Sequence, residues 1–308
     1  MSVLKKEQRI QILSQLVEGT GIRSTARLTG VDKTTVNKLA LDLGEGCWVL
    51  HDQLMRDLRV ALVQVDEQWG FVRKKNKHVK ETDPSDFGDQ WTYVGIDVVK
   101  KAVLSFFIGK RNAASARAFV TDLRSRLLGR FQVTSDGYKP YADAFAEVCG
   151  DSVDFAQLVK QYECDEREAK GQPLGRKRYI GSEKQIITGD PDETKISTSG
   201  IERLNLSNRM EQARFARKTL RHSKVLRHHE ASAALYYTYF NLARWHEMLK
   251  TTPAVALGVT PGEWSLGQLI DAALDLRPRG NREPEEREQP EVVLQPRLVA
   301  IAGGKGRP

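Results

Sequence analysis

The hydrophobic positions in the first fifty residues recur at helical spacing and predict three short helices. The first helix ends at Gly19, and the second covers residues 22–28. The third follows a turn at Gly30 and has Asp32 as its N-cap. Short helices joined through a glycine turn are typical of a helix-turn-helix, whose third helix enters the major groove of DNA. We therefore predict a helix-turn-helix DNA-binding domain over residues 1–46.

The first residues of the third predicted helix point outward, and all of them can donate hydrogen bonds. In the geometry of a helix-turn-helix, such residues reach phosphates and base edges. We predict that DNA is bound there by Lys33, Thr34, Thr35, Asn37 and Lys38. The alternative is a plain three-helix bundle whose polar face is solvated.

After residue 58 the pattern changes from helical spacing to the alternation of strands. Three consecutive strands are predicted around residues 59–72, 91–97 and 102–109, followed by alternating helices and strands. The order βββαβαβ, followed by a helix, predicts an α/β fold in which helices flank an open mixed sheet. A sheet of this kind holds its reactive groups at the ends of its strands.

Two aspartates occupy positions of interest in this predicted sheet. Asp136 ends the short strand in "FQVTSDG", and Asp66 lies in the first strand beside Glu67, whose side chain points to the opposite face. Asp66 and Asp136 can lie side by side at neighbouring strands. The alternatives are an ordinary turn aspartate for Asp136 and a solvent-facing acidic pair for residues 66 and 67.

A third acid, Glu202, lies at the start of a predicted basic helix. At about 100° per residue, Glu202, Asn205 and Arg209 share one polar edge of that helix. This edge can face the two aspartates. The alternative is a capping box, in which Ser199 and Glu202 satisfy backbone donors at the helix start.

The charge of the chain strengthens the prediction of a polyanionic partner. The 308 residues carry a formal net charge of +8, and residues 202–227 contain eight Lys or Arg against two Glu. A stripe suited to holding a phosphate backbone is predicted from Arg214, Arg217, Arg221 and Lys224. The alternative is a solvated surface helix.

Two further features bear on the surroundings of the protein. The three cysteines are far apart and favour reduced thiols over a disulfide framework or a zinc ribbon. The chain has neither a secretory apolar region at its start nor an apolar run of membrane-spanning length. We therefore expect a cytoplasmic location and no membrane partner.

The segments around the three acids share a wider pattern. They read "VDEQWGFVRKK", "VTSDGYKPYADAF", "DFAQLVKQY" and "ISTSGIERLNLSNRM". With "GDQWTYVGID", "RKTLRHSK" and the segment from "FNLARWHEMLK" to "SLGQLI", the shared pattern covers roughly residues 47–272. In this order the segments resemble those of DDE transposases of the insertion sequence 1 (IS-one) family.

The resemblance implies a ribonuclease-H-like catalytic core whose acidic triad is Asp66, Asp136 and Glu202. In that family the triad holds two magnesium ions, for which manganese is expected to substitute. The resemblance further implies binding to the terminal inverted repeats of an insertion sequence, strand cleavage, strand transfer to target DNA, and a homo-oligomer on the DNA. Glu67 is then structural, and lower-ranked candidates for the triad are Asp97, Glu183 and Glu193.

The resemblance also bears on other residues and on the function as a whole. Asn205, Arg209, Arg217 and Lys224 are expected to contact DNA or to orient Glu202. The protein is expected in the cytoplasm, associated with the nucleoid when bound to DNA. The alternative functions are a catalytically degenerate, transposase-derived DNA-binding repressor and a structure-selective nuclease.

These observations together predict the domain organisation. The predicted parts are the helix-turn-helix at 1–46, a helical connector at 47–58, a ribonuclease-H-like catalytic domain at 59–250 with a loop-rich excursion at 163–200, a C-terminal helical segment at 251–276, and a disordered tail at 277–308.

Overall fold

One six-stranded mixed sheet organises the chain in the computed structural model, which describes residues 4–163, 178–217 and 219–277. The strands are β1 (Leu62–Val72), β2 (Gly88–Asp97), β3 (Val103–Gly109), β4 (Phe131–Ser135), β5 (Val153–Tyr162) and β6 (Tyr179–Thr188). Their order across the sheet is β3-β2-β1-β4-β5-β6. β4 runs parallel to both β1 and β5, and the other neighbouring pairs are antiparallel.

Helices lie before the sheet in sequence and on both of its faces. Within the described ranges they are α1 (Lys6–Val17), α2 (Ile22–Thr29), α3 (Lys33–Leu54), α4 (Ala113–Arg126), α5 (Pro140–Cys149), α6 (Ser199–Glu211), α7 (Leu226–Leu242), α8 (Pro253–Ala256) and α9 (Leu266–Leu276). This arrangement confirms the predicted α/β fold class, a mixed sheet flanked by helices with an N-terminal helical region. The predicted tail, apart from Arg277, lies outside the described residues.

The two faces of the sheet are buried by different sets of helices. On one face, Val63 and Val65 of β1 pack with Phe119 of α4 and Phe145 of α5. On the other face, side chains of β2 and β3 pack with α7, and α7 packs with α3. The alternation of buried side chains along the strands supplies both cores, because successive residues point to opposite faces.

The N-terminal helices begin and end at the predicted signals. Gly30 is left-handed, with φ of 69°, and ends α2, while the Asp32 side chain accepts the Thr34 N–H at 2.8 Å and begins α3. α3 is longer than predicted and runs through residue 46, because Cys47 and Leu50 continue its buried face. The division of the chain at residue 46 stays a prediction.

β6 is an element that the hydrophobic pattern did not predict. It lies in the segment 163–200, where a loop-rich excursion was expected, and it pairs with β5 at the edge of the sheet. Most of its side chains are exposed or half-buried. An edge strand with no buried face shows no alternation of apolar and polar residues, so backbone pairing alone reveals it.

Two remaining features concern thiols and membranes. Cys47 and Cys149 are buried free thiols, whereas Cys164 lies outside the described residues. Burial raises the pKa of both described thiols. Among the described helices, none combines the length and apolar character needed to cross a bilayer.

We predict that two buried histidines make the fold sensitive to acid. Burial lowers the pKa of His51 and of His229 to about 3, with Arg126 adding to the effect at His51 and Arg214 at His229. Between pH 6.5 and 3 the unfolded chain therefore binds more protons than the folded chain, so stability falls as the pH falls through this window. At pH 5 each histidine is expected to cost about 2 kcal/mol relative to pH 7.

Urea unfolding of the wild type and of His229→Gln at pH 7 and pH 5 measures this effect. The variant is expected to lose less stability on acidification than the wild type. His78→Gln is the matched control, because His78 is exposed. Equal losses in the wild type and in His229→Gln would contradict the prediction.

Candidate active site

The register of two parallel strands brings Asp66 and Asp136 together. Gln64 of β1 lies opposite Thr134 of β4, so the residues two positions further along each chain are Asp66 and Asp136. Asp136 follows the end of β4, where its Oδ1 accepts the backbone N–H of Tyr138 at 3.0 Å. Both side chains line one pocket.

α6 lies along β1 and covers the polar side chains on that face of the strand. The Ile201 N–H donates to Gln64 Oε1 at 3.0 Å, and Gln68 Nε2 donates to the Asn205 carbonyl at 3.0 Å. Asn205 Nδ2 donates to Asp66 Oδ2 at 2.8 Å. These bonds satisfy buried polar groups of both elements and hold α6 in one register on β1. The polar edge predicted for the Glu202 helix therefore faces Asp66.

Glu202 reaches the same pocket from the first turn of α6. Its Oε1 accepts from Lys160 Nζ at 2.5 Å and from Thr198 Oγ1 at 2.6 Å. The capping box considered between Ser199 and Glu202 is absent, because Thr198 is the N-cap and its hydroxyl, with Lys160, engages the glutamate. The pocket that contains all three acids is lined by Asp66, Arg111, Asp136, Gly137, Tyr138, Lys139, Pro140, Val159, Lys160, Tyr162, Thr198 and Glu202.

Glu67 also approaches the two aspartates. One carboxylate oxygen from each of Asp66, Glu67 and Asp136 lies within 4.8 Å of the others, and this is the one such group of possible metal ligands among the described residues. The Glu67 side chain is nearly inaccessible, at 1%, and forms a salt bridge with Arg111 at 2.6 Å. Glu67 was expected to be structural, yet it lies close to both aspartates. Its negative charge is already balanced by Arg111.

The acids in and beside the pocket differ in the direction of their pKa shifts. Burial, followed by the charge of Asp136, raises the pKa of Asp66 to about 6. The same two causes raise the pKa of Glu67 to about 7, against the opposing effect of Arg111. At Glu202, burial is outweighed by the hydrogen bonds from Lys160 and Thr198, which lower its pKa. Crowded carboxylates of this kind are stabilised by a nearby cation.

Three polar residues of the site were not predicted from the sequence. Arg111 lies between β3 and α4, Lys160 lies in β5, and Gln157 of β5 donates to the Asp136 carbonyl at 2.9 Å. Their roles depend on contacts with distant residues, which periodicity does not reveal. The "DFAQLVKQY" segment of the resemblance contains both β5 residues, and it was the one available pointer to them.

The lower-ranked acids lie elsewhere. Asp97 ends β2 and accepts the Val99 N–H at 2.9 Å, Glu183 lies on β6, and Glu193 lies in a short 3₁₀ helix. None of these three acids lines the pocket.

The residues predicted to bind DNA at the start of α3 differ in accessibility. Lys33, Thr34 and Lys38 are exposed, whereas Thr35 and Asn37 are half-buried. Asn37 Oδ1 accepts from Arg214 Nη2 at 3.3 Å, so one member of each predicted DNA-binding set contacts the other.

The basic stripe was expected on the Glu202 helix. This expectation was wrong, because that helix ends earlier than predicted. α6 stops at Glu211, and the four stripe residues lie in the irregular segment before α7: Arg214, Arg217, Arg221 and Lys224. The chain turns at Gln212 because Ser232 bonds its side chain at 2.6 Å and the buried Phe215 stacks on His229, 4.5 Å away. Asn205 is buried and Arg209 half-buried, beside Asp66 rather than on an open surface.

The exposed members of this segment still form a basic surface. Arg217, Arg221 and Lys224 are exposed. Arg221 Nη1 donates to the Gly19 carbonyl in the turn between α1 and α2 at 3.0 Å. The basic segment therefore adjoins the turn between α1 and α2 instead of lying along α6.

The fold and the pocket define a protein with a mixed sheet that carries acidic side chains within β1 and directly after β4. No protein-family model matches the chain, and none of the curated proteins matches it significantly. Among solved structures, the Mos1 transposase paired-end complex with left transposon end is similar at 15% identity and a TM-score of 0.21, over 50% of this chain and 60% of that chain. A piggyBac transposase synaptic complex with hairpin DNA is similar at 10% identity and a TM-score of 0.30, over 70% of this chain and 52% of that chain.

A third solved structure, the Mos1 strand transfer complex, is similar at 14% identity and a TM-score of 0.20, over 76% of this chain and 78% of that chain. The chain thus spans 60% of the first and 52% of the second of these proteins. At TM-scores this low, the similarities define no activity for the chain. The resemblance to the IS-one family stays a prediction.

Proposed function

We propose that the protein is a DDE transposase of the IS-one type, which binds the inverted-repeat ends of an insertion sequence and cleaves and transfers DNA strands. The observation that carries the proposal is the convergence of Asp66, Asp136 and Glu202, far apart in the sequence, on one pocket. A degenerate, DNA-binding repressor would retain the basic surfaces but would not require this convergence.

The residues of the pocket fit divalent cations. Carboxylate oxygens are the ligands that magnesium and manganese prefer, and buried acids with raised pKa values are stabilised by a cation. Asp66, Asp136 and Glu202 would hold the ions. When bound, two magnesium ions activate a water or a DNA 3′-hydroxyl and stabilise the leaving oxygen of an in-line displacement.

The neighbouring side chains position these acids. Asn205 holds Asp66 through one carboxylate oxygen, and Gln157 holds the loop that carries Asp136. Lys160 balances the charge of Glu202 in the free protein, and Arg111 does the same for Glu67. Because the Lys160 and Arg111 side chains both line the pocket, they are also placed to contact a DNA phosphate.

The DNA partners are the terminal inverted repeats and the target DNA. Exposed Lys33, Thr34 and Lys38 of α3 adjoin the basic segment before α7, and together they offer donors and positive charge to a duplex. Because two ends must be joined, we propose that the protein acts as a homo-oligomer on DNA.

Incubation with labelled duplexes tests the proposal. One duplex carries the inverted repeats that flank the gene, and the other carries the same bases in scrambled order. We expect cleavage and strand transfer with magnesium or manganese, restricted to the repeat-containing duplex, and none in EDTA. Specific binding without cleavage would favour the repressor, and equal cleavage of both duplexes would favour a structure-selective nuclease.

We predict that the exposed basic residues set the salt dependence of duplex binding. Arg217→Gln and Lys224→Gln are each expected to reduce the slope of log affinity against log salt by about 0.9, because each side chain neutralises one phosphate. Titration of a labelled duplex at several salt concentrations measures the slope. Lys250→Gln is the control, because Lys250 pairs with Glu247 at 3.2 Å in a different part of the chain. Unchanged slopes would place both residues away from DNA.

A further inference from the structure

A group of aromatic and basic side chains at the far end of β1 lies outside the candidate active site. We define it as the Trp69 patch, made of Trp69, Phe71, Lys75, His222 and Lys224. The two rings of β1 are 5.5 Å apart, centroid to centroid, and the His222 ring lies 4.4 Å from Phe71 at an interplanar angle of 30°. These three rings form a short row of π-surfaces.

The cations of the patch lie over or beside these rings. Lys75 Nζ is 5.5 Å from the Trp69 centroid and 5.8 Å from the Phe71 centroid. Lys224 Nζ lies 2.5 Å from His222 Nε2. Lys75 and Lys224 are exposed, and residues 73–80, which read "RKKNKHVK", contain five Lys or Arg and no acid. The patch therefore combines flat apolar surfaces with positive charge.

Core packing does not account for the two β1 rings. Trp69 and Phe71 share a strand face with Val63 and Val65, but they are half-buried and belong to neither hydrophobic core of the described chain.

The backbone holds the patch together across two distant segments. The Arg73 N–H donates to the Ser223 carbonyl at 2.8 Å, and Val72 forms a parallel bridge with Ser223. The Arg73 carbonyl lies 3.3 Å from His222 Nε2. The rings of β1 and the basic segment before α7 therefore form one surface.

The same face of the sheet leads from the patch to the pocket. Trp69 pairs in register with Trp91 of β2, and the guanidinium of Arg111 lies 4.8 Å from the Trp91 ring. Arg111 also lies 4.3 Å from the Tyr138 ring and lines the pocket. Glu67 lies two residues before Trp69 on the same strand face, roughly 7 Å away along the strand, and one of its carboxylate oxygens lies within 4.8 Å of one from Asp66 and one from Asp136.

We propose that the Trp69 patch binds unpaired nucleotides of single-stranded DNA next to the pocket, a binding site that rests on the proposed function. Single-strand sites combine aromatic rings, on which bases stack, with cations that follow the phosphates. The patch supplies both, whereas a site for duplex DNA alone requires cations but no aromatic rings. The DNA strand bound at the Trp69 patch is the one whose phosphate lies in the pocket.

Fluorescence anisotropy with an oligothymidylate of roughly 12 nucleotides, in EDTA, tests this inference. Trp69→Ala is expected to weaken binding roughly 5-fold to 150-fold, which corresponds to about 1 to 3 kcal/mol for the loss of one stacked base. Trp69→Phe is expected to restore most of the affinity, because a ring remains. The matched control is Trp245→Ala, because Trp245 is 49% exposed and lies beyond the end of α7.

An abasic oligonucleotide of the same length separates stacking from charge. Wild type and Trp69→Ala are expected to bind it equally, because it offers phosphates and no bases. Circular dichroism melting verifies that each variant is folded. Wild-type affinity of a folded Trp69→Ala for oligothymidylate, or an equal loss on the abasic strand, would overturn the inference. Binding in EDTA requires no catalysis. A negative result in this binding test therefore leaves the proposed function intact, and a negative result in the cleavage assay leaves the binding result unaffected.

Discussion

Replacing Asp136 by asparagine is expected to abolish magnesium-dependent cleavage and strand transfer while duplex binding is retained. Asp136 is one of the three acids that line the pocket, and its carboxylate accepts the Tyr138 N–H. The asparagine side chain can still accept this hydrogen bond, so the substitution keeps the turn and removes the charge. Loss of one ligand to a catalytic metal removes several kcal/mol of transition-state stabilisation, which we expect to appear as a loss of at least about 1000-fold in rate. Single-turnover cleavage of the repeat-containing duplex measures it.

Asp143→Asn is the matched control for this prediction. Asp143 lies on α5, seven residues from Asp136 in the sequence, and its side chain is exposed outside the pocket. The control is expected to cleave at the wild-type rate. Full activity of Asp136→Asn would contradict the assignment of the pocket as the active site.

The same assay decides which glutamate completes the acidic set. Glu202→Gln is expected to lose activity as Asp136→Asn does. Glu67→Gln is expected to lose less, because Arg111 already balances the Glu67 charge. The reverse order would identify Glu67, which lies within 4.8 Å of both aspartates at its nearest oxygen, as the third ligand.

Gly46→Ala is expected to destabilise the fold by about 3 kcal/mol. Gly46 lies in α3 where this helix contacts α9, and an added Cβ would come within 1.7 Å of the Ala273 carbonyl oxygen. The obstructing atom belongs to a helix backbone, which cannot rotate away as a side chain can. The gain in helix propensity from alanine, about 1 kcal/mol, is too small to compensate for the displacement of α9. Urea denaturation at neutral pH measures the change.

Gly262→Ala provides the comparison, since an added Cβ there meets nothing within 4 Å. Its stability is expected to match that of the wild type. Equal stability of Gly46→Ala and the wild type would show that α9 is free to move away from α3. The close approach of these helices would then contribute little to stability.

The local features of this fold were predictable because local chemistry encodes them. Asp32 caps α3 and Asn112 caps α4 through bonds to backbone N–H groups three residues away or fewer. The strands around Asp66 and Asp136 follow from alternation and from turn residues. The parallel register of β1 and β4 then explains why an acid in each strand meets the other.

Features that depend on distant contacts were not predictable in this way. The end of α6 at Glu211 depends on Ser232 and His229, which lie in α7. The contact between Asn37 and Arg214 joins two sets of residues that were expected to act separately on DNA. The position of Glu67 near the aspartates depends on Arg111, which enters from the loop after β3.

The amino-acid order of this protein is sufficient to predict most of its described helices, five of its six described strands, its excess of positive charge and the candidate acids, since periodicity and capping act over a few residues. The packing of segments far apart in the chain settled the remainder: which acids share a pocket, which cations balance them, and where Trp69 and His222 form one surface. The free energies of those contacts come from burial and from pairing between distant side chains, and no local pattern carries them.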